Sequence, residues 1–371
     1  MQREIGSNFW LEPEEFAGSG EIALADFGIE GFSDSVLSSN GRSAEGIVLE
    51  QILREHPDMK RIALIPPFTC GTVIEPFLRC GFTLHTYPVS SDLMLTGDML
   101  RAAIERAGAE VLLIHRYFGF ETLSGCEGVL AAFRAKGGIL IEDRTQCVYS
   151  QSRPLDADYV IGSLRKWLGL PDGGFAVRMN GSFTEKPETE NRAMVDIKLK
   201  ASILKADYMQ YRSDDKDTFY GMFSDAEKKL DTKGDYYCIA KESAAVQAAA
   251  DIPALKARRR QNYQQVYDAV RDCRRIRILT PALGKDDVPL YLALAADDRS
   301  SLQRKLRDAC IYAPVVWPKE DICPAVCAEA DDIYAHVLCL PVDQRYDADD
   351  MERMTRLIAE WDKEEPNAAE S

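Results

Sequence analysis

No stretch of this 371-residue chain comes near the roughly 18–20 consecutive apolar residues that a membrane-spanning helix needs, so no spanning helix is expected. Positive charge is also short: 45 Lys and Arg face 60 Asp and Glu, a net charge of −15. Such a surface repels nucleic acid and anionic membrane, and a phosphorylated partner would need a local basic pocket. The clusters Lys256–Arg260 and Arg274–Arg277 read as solvated helix faces rather than such a pocket. Metal-site spacing is missing too. The ten cysteines are scattered, and the closest pair, Cys323 and Cys327, has neither a nearby histidine nor a second pair to complete a zinc site, so no metal is expected. The segment MQREIGSNFWLEPEE lacks the basic start and apolar run of a secretion signal. The expectation is a reduced, cytoplasmic protein whose cysteines fill core space.

What is present is a repeated alternation. From about residue 36, helical patterns alternate with short apolar runs, as successive βα units do. Ala44–Arg54 reads as a helix. Strand-like runs follow at Arg61–Ile65, Phe82–Val89, Val111–His115, Gly138–Glu142, Tyr159–Gly162 and Phe175–Arg178. Several are apolar on both faces, which fits a sheet covered by helices on each side. Residues 180–235 are polar, with weak periodicity, and read as an excursion containing some helix. Helices are predicted at Ala244–Asp251, Arg258–Asp272, Ser300–Ala309 and Asp347–Trp361, with strands at Val288–Ala295 and His336–Pro341. The tail KEEPNAAES is expected to be disordered. No internal repeat is found. The division predicted is a large α/β domain over 1–242, including the N-terminal segment, and a smaller α/β domain over 243–371.

In such sheets ligands gather at the carboxyl ends of strands, and four stretches fall there. SSNGRSAE (Ser38–Glu45) opens a helix; Gly41 permits close backbone approach, the helix N-terminus attracts a phosphate, and Arg42 and Ser43 add donors. Small polar residues before a helix can also simply cap it. IEDRTQ (Ile141–Gln146) places Asp143 just past a strand. A carboxylate there can hold a pyridine nitrogen protonated, while Gln146 bonds the ring's phenolic oxygen; Asp143 could equally cap a helix. VIGSLRKWLGLPDGG (Val160–Gly174) puts Ser163 three residues before Lys166, a spacing that lets one bind phosphate while the other forms a Schiff base with an aldehyde. Arg165 would depress the lysine's basicity, and Gly173 and Gly174 allow a tight turn. The Ser-x-x-Lys pair also matches a penicillin-binding signature, but neither S-D-N nor K-T-G accompanies it. PPFTCGTV (Pro66–Val73) presents Phe68 or Cys70 against a cofactor ring. His115, at another strand end, is either packed or functional. Together these are the requirements of pyridoxal 5'-phosphate (PLP).

In this order the set resembles the DegT/DnrJ/StrS family of sugar aminotransferases, over roughly Ser38 to Trp361. Asn40-Gly41-Arg42-Ser43-Ala44 matches the phosphate turn, and Glu142, Asp143 and Gln146 match E-D-x-x-Q. Ser163 with Lys166 matches the serine–lysine pair, Gly173-Gly174 the glycines that follow, and Arg259-Arg260-Gln261-Asn262-Tyr263 resembles the later helix with an arginine pair and a tyrosine. The resemblance implies the PLP-dependent fold type I, with a mostly parallel seven-stranded sheet covered by helices and a smaller C-terminal α/β domain. It implies a homodimer and transfer of an amino group from an amino acid, glutamate foremost, to a nucleotide-linked keto-sugar, with Lys166 and Asp143 catalytic. Gly41, Arg42, Ser43, Cys70, Gln146 and Ser163 would join them in holding PLP. Three features depart from the family pattern: the short Ser-Leu-Arg-Lys spacing, Cys70 where an aromatic is common, and Gly234–Cys238 without the Asn and Arg of a cross-subunit segment. A PLP enzyme with a non-sugar acceptor, and a non-catalytic binding or regulatory protein, remain as alternatives; retention of both Lys166 and Asp143 argues against the latter.

Overall fold

The structure is a computed structural model that describes residues 3–150, 154–230 and 234–364. Its main sheet has seven strands: β1 (Asp34–Ser38), β2 (Ile62–Ile65), β3 (Thr83–Thr86), β4 (Val111–His115), β5 (Ile139–Asp143), β6 (Tyr159–Ser163) and β7 (Gly174–Arg178), in the order β1-β7-β6-β5-β4-β2-β3. The five from β6 to β3 pair in parallel, whereas β7 runs antiparallel to both β6 and β1. All five residues of β4 are buried. Its alternate side chains serve two cores: Val111 and Leu113 join the one beneath helices α1 (Gly41–Glu55) and α2 (Gly71–Arg79), and Leu112 and Ile114 the one on the opposite face. Two-sided burial explains why these strands read as continuous apolar runs.

β1 escaped the sequence reading because Asp34, Ser35 and Ser38 make it look like a loop. It is nevertheless paired with β7 from Asp34↔Arg178 to Ser38↔Gly174. The stretch 180–235 is far more helical than its composition suggests. It holds two helices, α3 (Arg192–Met209) and α4 (Lys216–Leu230), packed on each other through Tyr208, Phe219 and Phe223. The apolar residues of α3 fall on several sides of the helix rather than in one stripe, so periodicity hides it.

Beyond residue 240 come α5 (Lys241–Ala249), α6 (Ile252–Val270), α7 (Arg299–Asp308), α8 (Ala328–His336) and α9 (Ala348–Lys363). With them stands a three-stranded antiparallel sheet of β8 (Ile276–Ile278), β9 (Tyr291–Ala296) and β10 (Val337–Pro341), β9 central. β8 and α8 were not foreseen. α6 starts at Ile252, earlier than the basic stretch suggested, because Asp251 caps it through Ala254 N–H and Pro253 fits its first turn. Near the start of the chain, Arg3 and Ile5 lie against this second unit: Ile5 bridges Ile311, and Arg3 pairs with Asp350 at 2.9 Å. Of the tail KEEPNAAES, residues 365–371 lie outside the described residues.

Candidate active site

The parallel strands deliver their last residues to one cavity of about 400 Å³. His115 ends β4, Asp143 ends β5 beside it in register, and Ser163 ends β6. Gly41, Arg42, Cys70, Asp143, Gln146, Ser163 and Lys166 all line it. Ser43 does not. It sits in the first turn of α1, where its backbone N–H is taken by the Asn40 side chain at 2.9 Å. Phe68 is fully buried under the cavity, packed on Tyr334 (ring centroids 4.8 Å apart) and Trp317 (5.3 Å), so Cys70 is the one presented. The absence of a side chain on Gly41 matters: a Cβ there would lie 3.2 Å from Ser163 Cβ. Gly174 is tighter still, since a Cβ would stand 2.4 Å from the Asn40 backbone. Glycine at both places lets the helix entrance and the β6–β7 turn close on one another.

Asp143 accepts the Thr145 backbone N–H at 2.7 Å, an Asx-type turn that orients its carboxylate. Burial pushes its pKa above the ordinary carboxylate value, while the Thr145 hydrogen bonds and the Lys166 charge oppose that rise. Gln146 accepts the Phe118 N–H at 2.9 Å, which leaves its NH₂ as the donor end. Lys166 Nζ lies 5.1 Å from the centre of the Trp317 ring. Burial and the neighbouring Lys166 charge lower the pKa of His115 to about 3, so its imidazole is neutral. Its ring is edge-on to Tyr117 (4.4 Å) and stacked on Trp317 (6.4 Å).

Lys166 is fixed from both sides. The Trp167 indole N–H donates to Thr145 O at 2.9 Å, tying the lysine's turn to the Asp143 loop. Arg259 lies over the Trp167 ring at 4.7 Å and donates to the carbonyls of Pro289 (3.1 Å), Leu290 (3.2 Å) and Trp167 (3.4 Å). This gives the Arg259–Tyr263 stretch a physical meaning: it clamps the lysine turn to the second unit. Arg144 faces away from the cavity into the core, fully buried against Glu142 and the carbonyl of Ser150. Arg144, although next to Asp143 in sequence, is therefore not among the residues lining the cavity. Arg165, by contrast, lines the cavity and pairs with Glu227. The segment Gly234–Cys238 folds along this chain's own β1 edge, with Cys238 bridged to Ser38 and Tyr237 O accepting Ser39 N–H.

Whether this set suits PLP can be tested on the cavity itself. Four buried polar atoms, Glu45 Oε1, Thr69 Oγ1, His115 Nε2 and Arg165 Nε, have no hydrogen-bond partner, and all four residues line it. Buried polar atoms without partners are rare in folded proteins. A small polar ligand reaching them would remove the anomaly. The helix entrance at Gly41, a carboxylate, an amide donor and a lysine amine around about 400 Å³ fit a pyridine ring carrying a phosphate, a phenolic oxygen and an aldehyde.

No protein-family model matches the sequence, and no curated protein does. The fold does have counterparts. DesV of S. venezuelae, solved with a ketimine intermediate, superposes with a TM-score of 0.66 at 18% identity, covering 97% of this chain and 92% of that one. Helicobacter pylori PseC, an aminotransferase involved in pseudoaminic acid biosynthesis, gives 0.68 at 11% identity, covering 97% and 99%. DesI, solved in the presence of its TDP-sugar product, gives 0.65 at 14% identity, covering 97% and 93%. This chain has the fold of the sugar aminotransferases. Its mixed sheet and flanking helices are those of PLP-dependent fold type I, as the seven-stranded expectation had it.

Sequence reasoning missed Glu45, Thr69, Trp317 and Glu227. Glu45 lies inside a motif already noticed, one turn beyond Gly41, where helical spacing could have flagged it. Trp317 carried no signal, for it comes from a loop of the second unit that only tertiary structure brings to Lys166.

Proposed function

We propose that this chain is a PLP-dependent aminotransferase whose acceptor is a nucleotide-linked keto-sugar and whose donor is an amino acid, glutamate by preference. The observation that carries the reading is that Lys166 and Asp143 open into one cavity at the carboxyl ends of the parallel strands, beside the glycine entrance of α1. PLP, when bound, would supply an aldehyde for the lysine amine and a protonated ring that takes up electrons. Asp143 would keep that ring nitrogen protonated. Gln146, anchored through its carbonyl oxygen, would offer its NH₂ to the phenolic oxygen. Gly41, Arg42 and Ser163 would hold the phosphate, with Ser43 at most supporting the turn. Cys70 and Trp317 would meet the ring. Lys166 would hold the cofactor through its amine and would also be the group that carries a proton to and from the amino donor.

A second cavity of about 510 Å³ shares Arg165, Lys166 and Glu227 with the first. There Arg165 and Lys198 converge on the single carboxylate of Glu227. Burial lowers the Lys198 pKa to about 8, with Arg165 adding to the effect. Two cations sharing one carboxylate favour an incoming diphosphate, and they concentrate positive potential locally in an acidic protein. A homodimer, located in the cytoplasm, completes the reading.

Borohydride reduction of the PLP-treated protein, followed by peptide mapping, is expected to place a phosphopyridoxyl group on the peptide containing Ser163–Trp167. Label on another lysine, or none, would overturn the reading. The acceptor is tested from the pyridoxamine form, prepared with glutamate and mixed separately with nucleotide keto-sugars and simple 2-keto acids. Return of the visible band with the sugars alone is expected; return with keto acids alone would move the chain to amino-acid substrates.

A further inference from the structure

Among the groups lining the first cavity, Glu45 has no part in the chemistry described so far. It is 1% exposed, and its Oε1 has no hydrogen-bond partner. It stands on α1 one turn after Gly41. Helical side chains lean back over the preceding turn, so Glu45 leans toward Gly41, at the turn assigned to the cofactor phosphate, and both line the cavity. The groups facing it are mostly anionic or able to become so. Asp143 comes from the end of β5, and Cys70 and Glu75 from the cap and body of α2; Arg42 of its own helix is the nearby cation. Across the cavity stand His115, which is neutral, and Arg165 and Lys166 after β6. A buried carboxylate with an unpartnered oxygen, facing other acids and an arriving phosphate, is strongly disfavoured; a carboxylic acid in that place becomes a hydrogen-bond donor.

We propose that Glu45 contacts the bound cofactor as a neutral carboxylic acid, so that cofactor binding by this chain depends on a proton held on that residue. The inference rests on the PLP reading and adds a residue and a condition to it. Burial, then the charge of Asp143, raises the Glu45 pKa well above the ordinary glutamate value, in keeping with the geometry. As the pH rises through that raised pKa the donor is lost, and a negative charge appears beside the ligand.

The probe is pyridoxamine 5'-phosphate, which carries an amine in place of the aldehyde and so binds without bonding Lys166. Its dissociation constant for the apoprotein is measured by equilibrium dialysis from mildly acidic to mildly alkaline pH, for the parent, Glu45→Gln and Glu45→Leu. The amide of Gln keeps a donor and cannot ionise. Glu45→Gln should therefore match the parent at low pH and bind more tightly than it at high pH, so that the ratio of the two constants changes with pH. Titration of the phosphate and of Lys166 cancels in that ratio. Glu45→Leu should bind about tenfold more weakly at low pH, as expected for loss of one hydrogen bond to a charged group. A pH-independent ratio of parent to Glu45→Gln, or full affinity in Glu45→Leu, overturns the proposal while leaving Lys166 labelling intact. A parent that binds neither this probe nor PLP overturns the cofactor reading and this inference with it.

Discussion

Asp143 and Glu45 share a cavity but are set up for opposite states. Asp143 has the Thr145 N–H and the Lys166 charge to support a carboxylate; Glu45 has only Arg42 against three acids. Replacing Asp143 by Asn keeps its shape but removes the charge facing the ring nitrogen. Lys166 labelling should survive, while proton abstraction from the amino donor, followed by stopped-flow absorbance, should slow on the order of a hundredfold or more. Unchanged turnover would make Asp143 a structural cap. Glu45 can be checked in the apoprotein through stability. Its folded pKa is raised, so its contribution is fully present below the unfolded value and is lost as pH rises toward the folded one. Between those values the parent should lose about 1.4 kcal/mol per pH unit from this residue, and Glu45→Gln should not. Urea midpoints of the two proteins should thus coincide near pH 4 and separate with rising pH; parallel curves would contradict a neutral Glu45. At this scale the sequence was most legible where chemistry and backbone geometry coincide, as at Gly41, Asp143 and Lys166. It was least legible where a residue reaches the cavity from a distant loop, as Trp317 does.

Elements were legible in proportion to their burial. β4 and β5 carry continuous apolar runs because helices cover both their faces, and their positions were readable to within a residue. β1 is half-polar, and its strand character comes from pairing with β7, a long-range partner that local composition cannot reveal. α6 shows a different limit: its Arg-Arg pattern suggested a solvated face, yet Arg259 is 1% exposed. Burial lowers its pKa to about 10, so it keeps its charge at neutral pH. Its guanidinium donates to the carbonyls of Pro289, Leu290 and Trp167 and, from Nε, to Gln344 Oε1 at 2.8 Å. Arg259→Ala would strand those buried carbonyls and remove the packing on Trp167. A loss of about 2–4 kcal/mol is expected, read as a fall in the urea midpoint. Arg260→Ala, on the same helix but donating from the surface to Gly284 O and Asp287 O, should cost less than half of that. Equal losses would mean that the helix, not the clamp, sets the stability.

On the scale of the whole molecule, the first residues join parts that the order of the chain keeps far apart. Ile5 adds a bridge to Ile311, Gly6 N–H donates to Tyr346 OH at 2.7 Å, and Arg345 donates to the carbonyls of Ser7 (2.9 Å) and Asn8 (3.1 Å). Gly6 has φ +80°, and a Cβ there would lie 2.3 Å from Tyr312 O, so the close approach requires glycine. Residues Gly6–Phe9 then form one wall of the second cavity, opposite Lys198 and Tyr220 of α3 and α4. Glu4 locks this strap in place. Only 2% exposed, it meets Lys216 Nζ at 2.5 Å and Lys205 Nζ, itself fully buried, at 3.4 Å. Burial raises the Glu4 pKa and the two lysines lower it, the lysines winning; burial takes Lys205 down to about 8. Glu4→Ala would remove the carboxylate that holds the Lys205 pKa up, leaving a buried amine that is charged without a partner or must give up its proton, at a cost of about 3–5 kcal/mol. Adding Lys205→Met should restore most of it, because the stranded charge disappears and an apolar chain of similar length fills its place. The pH dependence separates this from simple loss of packing. A carboxylate with a depressed folded pKa contributes stability above its unfolded value and loses it as pH falls through the folded one. The parent should accordingly weaken on acidification relative to the double variant, and the difference between their urea midpoints should shrink below about pH 4.5. A double variant no more stable than Glu4→Ala alone would show that the strap is held by Ile5 and Gly6, with the buried ion pair incidental.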